Sequence, residues 1–249
     1  MNSGPHMLEF SGKTVLVIGG SSGIGAATAQ SFRARGATVF VTGTRASAED
    51  YAGLEGSELE GLGYAQLDAT NQADLADWKP PFETLDVLVL SQGIVRYKRQ
   101  EFDPAVFRSV IDVNLNSLMG CASRFHDALA KAKGALIIIS SVGAYRVTRA
   151  NPAYAASKAG AVHLTATLGD AWAGDGIRVN GIAPGLIETR LTQVTTRDPA
   201  RLAQRLEGIP LKRLGSAEEI ANIALFLASP MSSYIVGQTI IADGGRSLG

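Results

Sequence analysis

Hydrophobic positions along this chain come in short unbroken runs rather than in strict alternation. Thr14–Ile18, Thr38–Thr42, Val87–Leu90, Ala135–Ile139, Ile177–Ile182 and Thr239–Ile241 are such runs, rich in β-branched residues, and a weaker one lies near Tyr64–Leu67. Strands that are apolar on consecutive positions belong in a sheet covered on both faces. Between them apolar residues recur at helical spacing around Ile24–Arg35, Pro104–Lys131, Pro152–Ala173 and Ala217–Leu227. This strand–helix alternation predicts an α/β fold, a doubly wound and mostly parallel sheet of about seven strands with helices on both faces. No internal repeat or linker divides the chain. Leu191–Leu214, with its charges and two prolines, interrupts the alternation. An interruption of that kind predicts a lid-like segment near 189–214.

Composition narrows the class. Of 249 residues 46% are apolar and 18% charged, below the roughly 25% charged of ordinary domains, which excludes disorder. Lys+Arg and Asp+Glu stand at 23 each, so no net field draws nucleic acid or an anionic membrane. No apolar run approaches a bilayer span. A lone cysteine, Cys121, excludes an internal disulfide and a cysteine-rich zinc site, and no metal site is expected. The expectation is a cytoplasmic protein handling a small molecule. Residues 1–7 are polar and end in a second methionine. They read as a cloning remnant, leaving 8–249 as a single domain.

The run Thr14–Ile18 leads into Gly19-Gly20-Ser21-Ser22-Gly23-Ile24-Gly25, where a helix starts. Gly19 suits a tight turn, Gly23 close approach to a pyrophosphate, and Gly25 packing of helix on strand. Ser21, Ser22 and Ile24 complete a cradle whose helix N-terminus offers free N–H groups to phosphate. A bare glycine turn is the alternative; the strand before and the helix after favour the nucleotide. The second strand ends Val41-Thr42-Gly43-Thr44-Arg45. Gly43 stands where an NAD site places its carboxylate, while Thr44 and Arg45 suit a 2′-phosphate. NADP(H) is therefore expected over NAD(H), the alternative being a site that tolerates both.

Asn151-Pro152-Ala153-Tyr154-Ala155-Ala156-Ser157-Lys158 reads as a helix start with Asn151 as N-cap and Pro152 in the first position. Tyr154 and Lys158 then share one face, where an ammonium favours phenolate. Ile137-Ile138-Ile139-Ser140-Ser141 delivers two hydroxyls at a strand's carboxyl end, where open α/β sheets bind ligands. Ser141 is placed to donate to a substrate oxygen.

From Leu8 onward the sequence resembles the short-chain dehydrogenase/reductase family. The glycine pattern matches Ile18 to Gly25, Tyr-x-x-x-Lys matches Tyr154 and Lys158, the upstream serine matches Ser141, and the helix asparagine matches Asn114. The resemblance implies a Rossmann-type domain and hydride transfer between a ketone and a secondary alcohol. It makes Tyr154 the proton donor or acceptor and Lys158 the holder of the nicotinamide ribose. Ser141 would orient the carbonyl and Asn114 hold a water in a proton relay. It also implies cofactor contacts from Asp68 and Ala69, from Ser91 and Gly93, and from Pro184, Gly185, Ile187 and Thr189, with Asn180 opening that last motif. Family members commonly form tetramers, so a homotetramer, or a homodimer, is expected. The chain departs from the pattern twice. Ile18 replaces a threonine that ties down the first turn, and Leu90-Ser91-Gln92-Gly93 replaces Asn-Asn-Ala-Gly.

Substrate selection is expected from Val95–Tyr97, Val142–Arg146, Arg149 and Leu186–Leu206, with Val95, Gly143, Arg149, Leu186 and Leu191 as candidates. Two other readings stand beside the ketone–alcohol enzyme. One is a 3-oxoacyl carrier-protein reductase, which would dock its partner on Arg124, Arg146 and Arg149. The other is a non-catalytic nicotinamide-nucleotide-binding regulator. Cys121 reads as a half-buried core thiol, His126 and His163 as isolated imidazoles, Lys131 and Lys133 as neighbours of a helix C-terminus, and Trp78 as a packing anchor. Ala155, Ala159, Val162 and Ala166 form a small-residue stripe suited either to the chain's own sheet or to a subunit interface.

Overall fold

The computed structural model describes residues 8–248; the expected cloning remnant lies outside them. Seven strands form one sheet: β1 (Thr14–Ile18), β2 (Thr38–Gly43), β3 (Gly63–Gln66), β4 (Val87–Leu90), β5 (Ala135–Ile139), β6 (Arg178–Pro184) and β7 (Thr239–Ala242). They run parallel in the order β3-β2-β1-β4-β5-β6-β7. The order reverses between β1 and β4, which is where sheets of this type open a crevice.

Consecutive apolar residues supply both faces of the sheet, because successive side chains point to opposite sides. Leu16, Ile18, Leu88, Leu90, Leu136 and Ile138 meet Leu118, Phe125 and Leu129 of α4 (Ser117–Ala132). Their neighbours Val15, Val17, Val87, Val89, Ile137 and Ile139 meet Phe32 of α1 (Gly23–Arg33) and Leu225 of the helix Ala217–Ala228. Trp78 packs edge-on against Phe125 at 5.8 Å, the anchor expected of it.

The long helix expected over Pro104–Lys131 is interrupted. It divides into α3 (Pro104–Ile111), a π-helical turn at Asp112–Asn116, and α4. The extra residue of that turn accompanies an inward Asn114, whose amide is buried and bonded to the backbone of Ile94 at 2.8 and 2.9 Å. Bulges of this type concentrate at functional sites. A short helix, α2 (Gln72–Asp77), lies where no helical pattern was evident, held by the Asn71 side chain accepting from Ala73 and Asp74. Beyond them come α5 (Pro152–Trp172), α6 (Gln193–Thr196), α7 (Pro199–Glu207) and α8 (Ala217–Ala228).

Among the described residues no helix is long and apolar enough to cross a membrane. None of their His, Cys, Asp and Glu side chains gather in a group of three or more fit to hold a metal ion. Cys121 is wholly buried, and burial pushes its thiol up to about 12, so it is inert rather than half-exposed. His126 is not isolated: it bridges Asp127 and Asp175 at 3.1 Å each, and these carboxylates raise its pKa.

Candidate active site

A cleft of about 570 Å³ crosses the carboxyl ends of the central strands. Every expected cofactor residue except Arg45 and Asn180 lines it. At its phosphate end, Gly19 and Gly23 take left-handed φ of +72° and +56°. A Cβ on Gly19 would sit 2.7 Å from the Gln92 backbone nitrogen, and one on Gly25 would sit 2.2 Å from the Gly19 carbonyl oxygen. Both positions therefore require glycine. The Ser22 side chain does not cap α1, and the first turn holds no acidic residue. Its amide donors and positive dipole end stay available to a phosphate. The hydroxyl lost at Ile18 is supplied from β2, where Thr42 Oγ1 accepts from Gly19 N at 3.4 Å.

The adenosine end corrects one expectation. A Cβ on Gly43 would lie 2.5 Å from Tyr51 Oη and 2.9 Å from Ser21 Oγ, so the Tyr51 hydroxyl occupies the acidic position. Arg45 is turned away from the cleft. Its guanidinium donates to the Asp50 carbonyl and lies over the Tyr51 ring, 4.9 Å from the centroid. Thr44 lines the cleft on its own. Asp68 and Ala69 also line it, with Asp68 Oδ1 accepting from Thr70 N and Oγ1.

At the departure after β4, Gln92 Nε2 donates to Ser117 Oγ at 3.0 Å, while buried Gln92 Oε1 has no partner. A buried orphan acceptor in a cleft wall is a place for a ligand donor. Gly93 is left bare against the catalytic group: a Cβ there would be 3.4 Å from Lys158 Nζ and 3.5 Å from Asn114 Oδ1. Asn180 does not line the cleft. Its amide ties β6 to the approach to β7, donating to the Ile235 carbonyl and accepting from Gln238 N.

Ser141, Tyr154 and Lys158 meet in the cleft wall, and Asn114 stands behind them. The two strand-end hydroxyls divide their work. Ser140 Oγ donates to the Lys158 carbonyl at 2.8 Å, fixing α5, whereas Ser141 faces the Tyr154 phenol and favours its ionised form. Ser141 Oγ also accepts from Gly143 N at 3.0 Å. Lys158 Nζ is buried and donates to the Ile139 carbonyl at 2.8 Å; burial pulls its ammonium down to about 8. It lies 6.0 Å from the Tyr154 ring centroid. The phenol is therefore not lowered by the lysine in the protein alone. Burial raises its pKa, Ser141 opposes, and Tyr97 and Glu101 add to the rise. Both Asn114 amide hydrogens are used, on the Ile94 carbonyl and on Ser157 Oγ. A relay water would have to rest on a backbone carbonyl rather than on that amide.

Of the substrate candidates, Leu191 lines the cleft, and Gly143 abuts Ser141 and Tyr154, 3.4 Å from each for a Cβ. Val95, Arg149 and Leu186 do not line it; Leu186 faces a neighbouring cavity of about 510 Å³. Arg96, within the expected stretch Val95–Tyr97, does line it. Asn151 is not a side-chain cap, because its amide donates to the Arg96 carbonyl at 2.8 Å. The cap comes from Glu101, for which the sequence carries no local signal.

The family model described as enoyl-(acyl carrier protein) reductase matches residues 18–247. The 3-oxoacyl-(acyl-carrier-protein) reductase of Chlamydia trachomatis is 37% identical over 243 residues, covering 94% of this chain and 97% of that protein. The galactitol 2-dehydrogenase (L-tagatose-forming) of Cereibacter sphaeroides is 35% identical over 97% of this chain and 98% of its own. Among solved structures, a gluconate 5-dehydrogenase from Burkholderia cenocepacia in complex with NADP and tartrate superposes with a TM-score of 0.87 at 26% identity, covering 98% of each chain. With its glycine turn, strand-end serine and Tyr/Lys helix in one cleft, the chain belongs to the short-chain dehydrogenase/reductase family.

Proposed function

We propose that the protein is an NADP(H)-dependent oxidoreductase that interconverts a ketone and a secondary alcohol on a small molecule. The observation that carries this reading is the Ser141–Tyr154 hydroxyl pair, set in the same cleft as the glycine turn. The chain suits the cofactor on its own terms: bare Gly19 and Gly93, an uncapped α1 N-terminus and the orphan acceptor of Gln92. Bound NADP(H) supplies the hydride and, once oxidised, a positively charged ring. Tyr154 Oη gives its proton to the carbonyl oxygen during reduction and takes one from the alcohol during oxidation. Ser141 donates to the same oxygen and holds it against the phenol. Lys158 keeps two further N–H donors in the cleft wall for ribose hydroxyls, and Ser141 counters the burial that raises the phenol. Asn114 fixes the backbone of Ile94 beside the site.

Thr44 at the adenosine end, with glycine rather than a carboxylate at position 43, fits a 2′-phosphate; Arg45 would have to leave Tyr51 to join it. The carrier-protein reductase reading is favoured by the Chlamydia relative. Two of its three expected docking residues hold backbone carbonyls of this chain. Arg124 donates to the Leu75 and Trp78 carbonyls, and Arg146 to that of Arg246. We place the enzyme in the cytoplasm as a homotetramer, with residues 8–249 as one catalytic domain.

The test follows reduced-nicotinamide absorbance across a panel of ketones, sugar alcohols and 3-oxoacyl thioesters, for wild type and Tyr154→Phe. Turnover should fall about 10²–10⁴-fold in the variant, with cofactor affinity within a few-fold of wild type. Undiminished turnover in Tyr154→Phe sinks the role given to the phenol, and binding without any turnover leaves the regulator.

A further inference from the structure

Glu101 is wholly buried, yet no cation pairs with it among the described residues. Its carboxylate is held by backbone and amide donors instead. Oε2 accepts from Tyr154 N at 2.9 Å, and Oε1 accepts from Arg96 N at 2.9 Å and Asn151 Nδ2 at 3.5 Å. Tyr154 is the third residue of α5, so its N–H is one of those a helix leaves free at its N-terminus. The negative charge therefore sits on the positive end of the helix that carries the catalytic tyrosine.

The chain accepts an unfavourable local geometry to place it there. Lys98 and Arg99, just before the 3-10 turn Gln100–Phe102, take left-handed φ of +56° and +61°. Residues with a Cβ adopt that conformation at a cost, and consecutive cases are kept where the surroundings impose them. Lys98 and Arg99 stay exposed, as does Arg96 at the cleft, while Glu101 turns inward. Through it, the loop after β4 and the start of α5 become one unit. The Asn151 amide closes that unit by donating to the Arg96 carbonyl.

We propose that Glu101 is a positioning residue for proton transfer: it bolts the loop after β4 to the first turn of α5 and so fixes where the Tyr154 phenol stands. The proposal rests on the reading of Tyr154 as the proton-transfer group. Glu101 does not activate the phenol. Ser141 favours the phenolate and Lys158 carries the nearby positive charge, while Tyr97 and Glu101 oppose ionisation. Its contribution is geometric, and its charge has a signature of its own.

Two variants separate reach from charge, with cofactor binding measured on each purified protein. Glu101→Gln keeps the shape but turns one acceptor into a donor facing an N–H. We expect kcat to fall roughly 10–100-fold, the scale of a small misplacement of a reacting group, with cofactor affinity little changed. The pH limb of kcat that disappears in Tyr154→Phe should move to lower pH, because an opposing negative charge is gone. Glu101→Asp keeps the charge and shortens the reach, so kcat should fall while the limb stays. A Glu101→Gln enzyme with unchanged kcat and an unmoved limb overturns the proposal, even if its melting temperature drops. Should Glu101→Gln not fold, Glu101→Asp decides alone, and wild-type kcat in it overturns the proposal. If Tyr154→Phe retains full turnover, the underlying function fails instead, which is a different result.

Discussion

Lys158 is the residue whose position conflicts most with its charge. It is buried, and the Ile139 carbonyl is the one hydrogen-bond partner of its ammonium among the described residues. Burial holds its pKa at about 8 against an ordinary 10.5. Between these values the unfolded chain binds more protons than the folded one, so stability rises with pH across that window. Below about 8 both states are protonated and the full cost of burying the charge is present. The folded protein should therefore become more stable from pH 8 to pH 10, by on the order of 2 kcal/mol from this group. Tyr154 acts in the opposite direction only above 10, because its raised pKa protects the folded state until then. Denaturant midpoints measured from pH 7 to pH 10 check this. The rise should be present in wild type and missing in Lys158→Met. A flat wild-type profile would mean that the ammonium is better solvated than its surroundings indicate. Such a cost at a functional lysine is the usual form of conflict between stability and activity.

At the scale of elements, what was legible depended on whether the cause was local. Consecutive apolar residues placed all seven strands to within two residues, and Pro152 marked the start of α5. The glycine turn could be read because each glycine answers a steric demand within a few residues or across one strand. The break at Asp112–Asn116 could not, because its cause is Asn114 reaching the backbone of Ile94 in another segment. Glu101 was invisible for the same reason: it caps a helix 53 residues away. Arg45 read as a phosphate ligand only while Tyr51, a few residues on, was not known to fold back under it. The segment near 189–214 combines both cases. Its irregularity was legible, but its two helices were not, and α7 does have a cap, Asp198, which accepts from Ala200 and Arg201. α7 buries no residue. The segment is held by Tyr97 Oη donating to the Leu191 carbonyl at 2.7 Å and by Gln193 donating to Glu55 at 3.1 Å. Elements with so little burial open at low free energy. Backbone amides of 189–207 should exchange much faster than those of β4 and β5, then slow when NADP(H) and substrate are added together. Exchange as slow as in the strands, with no response to ligands, would refute the expected lid.

For the whole molecule the open question is what covers two apolar faces that the chain leaves bare. On α5 the inward side carries Ala153, Ala161, Thr165 and Leu168. The stripe expected to choose between sheet and partner faces outward: Ala159 and Ala166 are exposed, Ala155 and Val162 half-buried. That answers the packing alternative, since these small side chains do not lie buried on the chain's own sheet. The second face lies at the sheet's edge. Among the described residues β7 has β6 as its only neighbour and leaves Ile241 at 40% exposure, beside Leu211 at 60% and Leu248 at 88%. An uncovered edge strand with apolar side chains invites pairing, and proteins that stay soluble cover it. Two separate self-complementary faces generate a closed assembly with three two-fold axes, which is a tetramer. Small residues along α5 would let two such helices approach closely, while β7 and its cavity would meet their own copies at the other axis. Light scattering after gel filtration should give a mass near four chains of 26.0 kDa each. Ala159→Arg should halve that mass by closing one face, and Ile241→Arg should halve it by closing the other. The double variant should be a monomer whose cleft still binds NADP(H), because neither residue lines it. A wild-type monomer at micromolar concentration would refute the tetramer, and a dimer broken by only one of the two variants would assign the single face in use.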